Sequence, residues 1–396
     1  MKRVIYCTIS SANYLPRTLA LKESVERHRR GADFRILLCE HPRTVRALEE
    51  ELGLKFYGPD EVGCPQWRKM AFYYDCMEFN TAVKPYFLRK LLAEGADAVI
   101  YLDPDILLFS GMEECEAALE THDAILTPHL SEPMEDDGHS PALVDFNRVG
   151  QFNLGFIGFA RNERTDRALR WWANRCERDC ISDLSQGLFT DQAWANLFAS
   201  FLDVKILRSQ AYNMAYWNIF QRSLSRGADG RWMTGDGPLV FFHFSGLPMQ
   251  QLTLVSKHQT RVRAPEGSPL HQILSEYAQM LQRSPYAPLE GFEYTFARFT
   301  DGAVIPLSLR RRFREMSGLE GALVANPFAE HAMLERMQEL VNLPPPPGSP
   351  ENPLPLRYKA VDFLNTQVKR QLPAVHANAK VAARMMAQGL KRIRWS

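Results

Sequence analysis

The segment Ala98-Val99-Ile100-Tyr101-Leu102-Asp103-Pro104-Asp105 decides the fold. Its first five residues are apolar or aromatic, which is typical of a strand buried on both faces of a sheet. Asp103 and Asp105 follow at once, separated by a proline that stiffens the turn. In open α/β sheets, ligands bind beyond the carboxyl ends of strands, and two carboxylates there can converge on one hard cation. The segment therefore predicts a central strand that ends in a metal site.

The chain before this segment alternates between apolar and helical stretches. Residues 4–9, 34–39 and 54–57 are predicted strands, and residues 17–30 and 44–52 are predicted helices. This βαβαβ order is typical of a parallel sheet covered by helices.

Further predicted elements flank the segment on both sides. Thr81 is the predicted cap of the helix that leads into it, with Pro85 in the first turn. The remaining elements are strands at 123–127, 152–159 and 239–244, and helices at 164–178, 191–200 and 270–283. We therefore expect an α/β fold.

The composition is that of a globular protein with no strong charge bias. The chain has 396 residues, of which 45% are hydrophobic and 23% are charged. The formal net charge of +1 gives no indication of a nucleic-acid partner. Residues 356–396 differ from the rest, because they hold nine Lys or Arg and one acidic residue.

Cysteine usage and hydropathy predict the compartment. The seven cysteines form no CxxC pair, which argues against a disulfide framework or a zinc ribbon. No apolar stretch reaches the roughly 18 residues of a membrane-spanning helix. The apolar run after Lys2 and Arg3 is too short for a signal peptide. We therefore expect a cytoplasmic protein, or one on the inner face of the cell membrane.

Six segments in order carry a resemblance to a known family. They are Thr8-Ile9-Ser10-Ser11-Ala12-Asn13-Tyr14, Thr81-Ala82-Val83-Lys84-Pro85, Asp103-Pro104-Asp105, Asn153-Leu154-Gly155-Phe156, Asp191-Gln192 and His243-Phe244-Ser245-Gly246. Together they resemble the GT-A fold glycosyltransferases, and within these the retaining family 8 enzymes and their bacterial relatives. The resemblance covers roughly residues 1–249. It implies a Rossmann-like mixed sheet flanked by helices that binds a nucleotide-diphospho-sugar.

The resemblance and the composition together predict four parts of the chain. Residues 1–260 are the expected GT-A catalytic domain, and residues 261–343 a helical extension packed on it. Residues 344–355 are a proline-rich linker. Residues 356–396 are a basic helical tail, which either makes a peripheral membrane contact or serves as a solvated tail or an oligomer contact.

The resemblance implies a nucleotide site after the first strand. Thr8, Asn13 and Tyr14 would hold the nucleoside, because an amide can hydrogen-bond a base or ribose and a tyrosine ring can stack on the base. Lys84 resembles the basic residue beside the donor, where it would meet phosphate or support Asp103. A polar capped loop and a solvated helix face are the structural alternatives.

The resemblance also implies a three-ligand metal site. In the family, both carboxylates of the DxD turn and a late histidine bind the metal, which here are Asp103, Asp105 and His243. An imidazole beside two carboxylates suits Mn²⁺, with Mg²⁺ as the alternative. A strand-end turn and a hydrogen-bonded core histidine are the alternatives without a metal.

A glycine after the histidine is the expected phosphate contact. Gly246 would let the backbone approach the phosphates closely. The family often has a lysine three residues further on, where this chain has Met249. This departure puts that phosphate contact in doubt, with Lys257 as a candidate substitute.

Two segments resemble the family's sugar site. Asn153 and Gly155 resemble the donor-sugar segment, and Asp191 and Gln192 the pair that faces the reacting carbon. Two retaining mechanisms stay open: a front-face attack needs no protein nucleophile, whereas a double displacement needs one. Asp191 is the charged candidate, although it can equally bind sugar hydroxyls or cap a helix.

The expected function is metal-dependent transfer of a sugar from a nucleotide-sugar, in the first place a UDP-sugar. The acceptor would be a glycan or a lipid-linked glycan of cell-surface polysaccharide biosynthesis, and the transfer would proceed with retention. One alternative is a haloacid-dehalogenase-like phosphatase with Asp103 as nucleophile, although that motif usually begins its domain. The other is a non-catalytic scaffold that binds the nucleotide-sugar.

Overall fold

The computed structural model describes residues 3–320, 326–332 and 334. The strands in these residues are β1 (Val4–Ser10), β2 (Asp33–Leu38), β3 (Ala98–Leu102), β4 (Ile106–Leu108), β5 (Ala124–Pro128), β6 (Phe152–Ala160), β7 (Ser182–Asp183), β8 (Leu188–Phe189), β9 (Val204–Ile206), β10 (Ser225–Arg226), β11 (Trp232–Thr234), β12 (Gly237–Pro238) and β13 (Phe241–His243). The helices are α1 (Leu15–His28), α2 (Pro42–Leu52), α3 (Trp67–Tyr73), α4 (Cys76–Ala82), α5 (Lys84–Ala93), α6 (Glu113–Thr121), α7 (Leu143–Val149), α8 (Glu163–Cys176), α9 (Gln192–Ala195), α10 (Phe198–Phe201), α11 (Pro269–Gln282) and α12 (Leu307–Glu320). The chain divides into two compact units, Met1–Ala297 and Arg298–Ser396.

A six-stranded sheet forms the centre of the first unit, in the order β2-β1-β3-β6-β5-β9. β1 pairs in parallel with β2 and β3, whereas β6 runs antiparallel to β3 and β5. β5 and β9 are parallel. The predicted α/β fold with a mixed sheet flanked by helices is confirmed. Because β2, β1 and β3 are parallel, their carboxyl ends lie at the same edge of the sheet.

The central strand β3 is buried on both faces, as its apolar sequence predicts. Ile100 and Leu102 belong to a core cluster with Leu21 of α1. The Tyr101 side chain lies on the opposite face of the strand, where its ring centroid lies 4.3 Å from Nζ of Lys84 in α5. Burying each Ile or Leu side chain contributes about 1.5–3 kcal/mol. The layers on the two faces thus hold in place the strand that leads to the acidic turn.

A small second sheet joins β4 to β13. β4 begins directly after the acidic turn and runs antiparallel to β13, so that His243 lies opposite Ile106. The backbone N–H of Leu108 donates to Ser24 Oγ of α1 at 3.1 Å, which ties β4 to the main domain. This pairing brings a late part of the chain back to the edge of the central sheet.

The helix boundaries around the acidic turn differ from the prediction. Thr81 is wrong as a helix cap, because it lies in the last turn of α4 and its hydroxyl donates to the backbone oxygens of Met77 and Glu78. Val83 is the residue that flanks α5.

Two other predicted elements are also wrong in detail. The helix predicted at 191–200 is split into the two short helices α9 and α10. The strand predicted at 54–57 forms only an isolated bridge between Leu37 and Tyr57. All seven cysteines are free thiols.

The second unit contains α12 and a short 3₁₀ turn, Pro327–Ala329. The imidazole of His331 lies 2.6 Å from Asp301 Oδ2, and its ring stacks on Phe299 at a centroid distance of 4.2 Å. The domain boundary predicted at residue 260 stays a prediction.

Two of the predicted parts, the proline-rich linker at 344–355 and the basic tail at 356–396, lie outside the described residues. Within the described part of the chain, no helix combines the length and hydropathy needed to cross a membrane.

Candidate metal site and its surroundings

The acidic turn is held at the end of β3 by backbone hydrogen bonds. The N–H of Asp103 donates to Gly155 O at 2.7 Å, and the N–H of Ile106 donates back to Asp103 O at 3.1 Å. The Tyr101 hydroxyl donates to Asp103 Oδ1 at 2.6 Å. These contacts fix one carboxylate oxygen and leave Asp103 Oδ2 free to face His243.

The strand pairing of β4 with β13 delivers His243 to this turn. The N–H of Phe244 donates to the carbonyl of Asp105 at 2.9 Å. His243 Nε2 lies 3.0 Å from Asp105 Oδ1 and 3.7 Å from Asp103 Oδ2. One ligand atom from each of the three residues lies within 4.8 Å of the other two. The structure thus brings together the three residues predicted as metal ligands.

The three side chains differ in exposure. Asp103 and Asp105 are 30% and 16% exposed, whereas His243 is only 3% exposed. The imidazole therefore forms the floor of the site, and the carboxylates line its opening.

Burial and charge act in opposite directions on the three groups. Burial raises the pKa of Asp103, against the opposing charges of Lys84 and His243. Burial acts the same way on Asp105, but the adjacent imidazole outweighs it and holds the pKa of Asp105 below its usual range. Burial alone would lower the pKa of His243, yet Asp105 and Asp103 raise it. The field of the two carboxylates therefore favours a positive charge between them.

Gly155 makes room for the imidazole. A Cβ atom built on Gly155 would collide with Cε1 of His243 and would lie 2.8 Å from both His243 Nδ1 and Asn153 Oδ1. Only a residue without a side chain fits here while β6 keeps its place. Gly155 therefore contributes to the site through the space that it leaves.

A buried ion pair lies beside the acidic turn. Lys84 Nζ is 2.7 Å from Asp191 Oδ2, and both side chains are only 2% exposed. The ammonium also donates to Leu154 O at 2.9 Å. Burial lowers the pKa of Lys84, but Asp191 and Asp103 outweigh it and leave the pKa raised. Of the two predicted roles for Lys84, this position favours support of the acidic residues over direct contact with a phosphate.

Gln192 joins the same network through its amide. Its Oε1 accepts the N–H of Leu154 at 3.0 Å, and its Nε2 donates to Val149 O at 2.9 Å. Trp172 Nε1 donates to the carbonyl of Asp191 at 3.0 Å, and the preceding Thr190 has a positive φ of 47°. The segment that presents Asp191 is thus fixed on both sides.

His129 and Asn213 belong to this network, and the sequence reasoning missed both. Asn153 Nδ2 contacts His129 Nε2 at 3.4 Å, and Asn153 Oδ1 accepts from Asn213 Nδ2 at 3.0 Å. Burial lowers the pKa of His129 to about 4, so its imidazole is neutral. Neither residue lies in a segment with periodic or motif signal, so only the tertiary contacts reveal them.

The predicted nucleoside residues lie at and just beyond the end of β1. Thr8 is fully buried, and its hydroxyl has no hydrogen-bond partner among the described residues. Asn13 and Tyr14 lie in a 3₁₀ turn, Ala12–Tyr14, where Asn13 Oδ1 accepts from Ser11 Oγ at 2.6 Å. The Tyr14 ring is 39% exposed.

Tyr14 rests on a charged neighbour. Arg17 lies with its guanidinium 4.9 Å from the Tyr14 ring centroid, and Arg17 Nη1 is 2.8 Å from Glu290 Oε1. Burial raises the pKa of Tyr14, and the charge of Asp105 acts in the same direction. The tyrosine therefore has one face covered by Arg17 and lies within the electrostatic reach of the acidic turn.

Gly246 follows His243 in a left-handed conformation with φ of 67°. A Cβ atom there would collide with the His258 ring, and the N–H of Lys257 donates to Gly246 O at 3.0 Å. The left-handed backbone and the adjacent His258 ring thus both require glycine at position 246. Two exposed side chains, Lys257 and His258, lie next to it.

Comparison with known proteins gives sequence relatives without an established function. No family model matches the chain. The uncharacterized protein YfnF of Bacillus subtilis (strain 168) is 26% identical over 270 residues, which cover 64% of this chain and 86% of YfnF. The uncharacterized protein YfnD of the same strain is 24% identical over 311 residues, which cover 76% of this chain and 94% of YfnD.

Three solved structures that are similar to this chain are glycosyltransferases. The galactosyltransferase LgtC, in complex with donor and acceptor sugar analogues, aligns with a TM-score of 0.39 and 15% identity, over 71% of this chain and 97% of LgtC. The glycosyltransferase GlyE of Streptococcus pneumoniae TIGR4 aligns with a TM-score of 0.40 and 12% identity, over 73% of this chain and 62% of GlyE. Mouse xyloside xylosyltransferase 1 aligns with a TM-score of 0.35 and 12% identity, over 61% of this chain and 97% of that protein.

Proposed function

We propose that this chain is a metal-dependent glycosyltransferase that uses a nucleotide-sugar donor. The observation that carries the proposal is the convergence of Asp103, Asp105 and His243, whose ligand atoms lie within 4.8 Å of one another at the end of β3. The carboxyl edge of a parallel strand group is where α/β folds bind ligands. The six motif segments that resemble the GT-A glycosyltransferases support the same function.

The donor set fits a divalent cation that also binds phosphate oxygens. Two carboxylates and one imidazole suit Mn²⁺, and Mg²⁺ is the alternative. When bound, such an ion would neutralise the charge that develops on a departing nucleoside diphosphate. Asp103 and Asp105 would hold it from the open side of the site and His243 from the floor, in keeping with their different exposure.

The phosphates would meet the chain at Gly246. Position 249 holds methionine where the family often has lysine. Lys257 and His258 flank Gly246 in the structure and are exposed. Lys257 would supply the cationic contact that Met249 lacks, and the His258 imidazole would add a hydrogen-bonding group.

The nucleoside would lie on the turn after β1. The exposed ring of Tyr14, backed by Arg17, offers a flat face for a base, and stacking on such a face is worth about 1–3 kcal/mol per base. Asn13 would add a hydrogen bond to the base or ribose. Thr8 is fully buried, so its part in the site would be to shape the turn. Uracil is the expected base, which makes a UDP-sugar the expected donor.

The donor sugar would lie between the metal site and the Asp191 segment. Asn153 would read its hydroxyl groups through its amide, and Gly155 would serve the site by leaving space for the His243 ring. Lys84 holds the Asp191 carboxylate in place, and the Gln192 amide is engaged with the backbone on both sides. We propose transfer with retention, by a front-face attack or by a double displacement with Asp191 as nucleophile. Product NMR that shows inversion of the anomeric centre would contradict this stereochemistry.

The basic composition of residues 356–396 supports the proposed acceptor class and location. A glycan or lipid-linked acceptor of cell-surface polysaccharide synthesis would bring the protein to the inner face of the membrane. The basic residues of 356–396 would then contact anionic lipids. The cytoplasmic location rests on the reduced cysteines that the sequence predicts.

The structure does not favour a phosphatase with Asp103 as nucleophile. Asp103 Oδ1 accepts the Tyr101 hydroxyl and Oδ2 faces His243 at 3.7 Å, so both carboxylate oxygens are directed at neighbouring side chains. A turnover assay distinguishes a non-catalytic scaffold from a transferase.

A thermal-shift screen of nucleotide-sugars tests the proposal. We expect a UDP-sugar to raise the melting temperature only when Mn²⁺ is present, since a ligand that binds the folded state more tightly stabilises it more. Release of UDP from the stabilising donor, with an acceptor or slowly to water, would then establish the activity. A protein that no nucleotide-sugar stabilises with any divalent cation would contradict the proposal.

A further inference from the structure

Asn213 is a fully buried asparagine in the loop between β9 and β10, and it contacts the candidate metal ligand His243. Its Oδ1 lies 3.3 Å from His243 Nδ1. Its Nδ2 donates to Thr127 Oγ1 at 2.7 Å and to Asn153 Oδ1 at 3.0 Å. The amide thus has a partner for each of its polar atoms.

A backbone group fixes the direction of these hydrogen bonds. The N–H of Gly155 donates to Asn153 Oδ1 at 3.2 Å, so this oxygen is an acceptor. The group that Asn213 points at Asn153 must therefore be its NH₂. If the Asn213 amide were turned over, two carbonyl oxygens would face each other in a buried site.

The orientation of the Asn213 amide also determines which nitrogen of the His243 imidazole carries a hydrogen. Because Asn213 presents its oxygen to His243, the Nδ1 atom of His243 must carry the hydrogen. Nε2, the atom that lies 3.0 Å from Asp105 Oδ1, is then the nitrogen whose lone pair a cation can take, in exchange for any hydrogen that it shares with Asp105. This is the nitrogen that a cation between the carboxylates would use.

We infer that Asn213 is a positioning residue that fixes His243 in the tautomer able to bind a metal through Nε2. The inference rests on the proposed function, since it assigns a partner to the same metal site. Hydrogen bonding to the non-coordinating nitrogen is how proteins set the orientation of a metal-binding histidine, and losing it typically weakens metal affinity 10–100-fold.

The backbone of the loop supports this role. Asn213 has a positive φ of 52°, a conformation that asparagine tolerates better than most residues. Asn218 Nδ2 donates to the carbonyl of Asn213 at 3.0 Å, and Asn218 Oδ1 accepts the N–H of Ala215 at 2.9 Å. The Trp217 ring contacts His243 edge-on at a centroid distance of 5.1 Å. The loop therefore holds both the amide and the imidazole that it orients.

The test uses Asn213→Gly, because glycine keeps the left-handed backbone while removing the amide. Binding of Mn²⁺ alone is measured by isothermal titration for the full chain. We expect the dissociation constant to rise by about 10-fold or more. Thr127→Val is the matched control, since it removes a hydrogen bond of the same asparagine but leaves the contact with His243, and we expect its affinity to stay within about threefold of wild type.

A double-mutant cycle separates positioning from general damage to the fold. In a His243→Gln background, Asn213→Gly should cause no further loss of Mn²⁺ affinity, because the residue acts through the imidazole. Additive losses, or an Asn213→Gly variant that binds like wild type, would overturn the inference.

The tautomer itself can be read without a metal. In the ¹⁵N NMR spectrum of histidine-labelled wild-type protein without metal, Nδ1 of His243 should carry a hydrogen that it donates to Asn213, whether or not Nε2 shares a hydrogen with Asp105. In Asn213→Gly the population of His243 with a bare Nδ1 should rise. If wild type fails to bind Mn²⁺, the proposed function fails, and this spectrum still decides the inference. A neutral His243 with its hydrogen on Nε2 in wild type would overturn it.

Discussion

His243 Nε2 lies 3.0 Å from Asp105 Oδ1 because the strand that follows the acidic turn pairs with the strand that carries the histidine. Ile106, the next residue after Asp105, is the antiparallel partner of His243. The geometry of the candidate metal site is thus set by backbone pairing, and side-chain rotamers only complete it. Changes that disturb this edge should therefore affect metal binding before they affect the core of the central sheet.

Gly155→Ala should remove metal binding with a modest effect on the rest of the fold. The new methyl group would overlap the position of the His243 ring, which must move away from Asp105. We expect at least a tenfold weaker Mn²⁺ affinity, measured by isothermal titration. Gly291→Ala is the matched control, since a Cβ atom there meets nothing within 4 Å and we expect wild-type affinity. Unchanged affinity in Gly155→Ala would show that the imidazole is not a ligand.

Lys84→Met should destabilise the protein strongly. It leaves the Asp191 carboxylate buried without its 2.7 Å ion-pair partner, and breaking a buried pair from one side costs about 3–5 kcal/mol. Urea unfolding of the variant measures this loss. Adding Asp191→Leu to Lys84→Met should recover part of the stability, because no unpaired charge then remains. A Lys84→Met variant as stable as wild type would mean that the pair is not formed in solution.

The sequence predicted which residues form the site but not the contacts between them. The acidic turn was visible because a buried strand leads into it, and His243 because its segment resembles that of the glycosyltransferase family. The ion pair between Lys84 and Asp191 could not be predicted, although both residues were singled out. Lysine is rarely buried, and nothing local to the sequence indicates that α5 turns this one toward the interior.

The polar network behind the site had no sequence signal either. Asn213 and His129 are single polar residues in loop segments, where a solvated side chain is the ordinary expectation. Only the packing of β6 against the loops after β5 and β9 places both beside Asn153. Sequence patterns report which face of a strand or helix is buried, and they do not report which loop atoms meet across it.

His129 should make stability depend on pH in the acidic range. The pKa of His129 is lowered to about 4, against about 6.5 in an unfolded chain, so the unfolded state takes up the proton first as the pH falls. The stabilisation is fully present above about pH 6.5 and is lost as the pH falls toward about 4, up to about 3 kcal/mol in total.

The pH dependence is checked by urea unfolding of wild type and His129→Gln between pH 4.5 and 7.5. We expect the loss of stability toward low pH to be smaller in His129→Gln. His122→Gln, at the end of α6, is the control and should follow wild type. Parallel curves for wild type and His129→Gln would contradict a neutral buried imidazole at position 129.

Tyr14→Ala should weaken nucleotide binding, because it removes the exposed ring that Arg17 backs. Losing one base-stacking contact costs about 1–3 kcal/mol, so we expect roughly a tenfold or greater rise in the dissociation constant of UDP in the presence of Mn²⁺. Tyr14→Phe keeps the ring and should bind within about threefold of wild type. Equal affinity for all three proteins would place the base elsewhere.

The central claim is that the Asp103, Asp105 and His243 cluster holds a cation that binds the donor's diphosphate. The most direct measurement is calorimetric titration of UDP into wild type and Asp105→Asn, each with Mn²⁺ and with a chelator, and with Asp229→Asn as the exposed carboxylate control. We predict UDP binding by wild type and Asp229→Asn only when Mn²⁺ is present, and none by Asp105→Asn. Equal UDP affinity with and without Mn²⁺, or unimpaired binding by Asp105→Asn, would contradict the account.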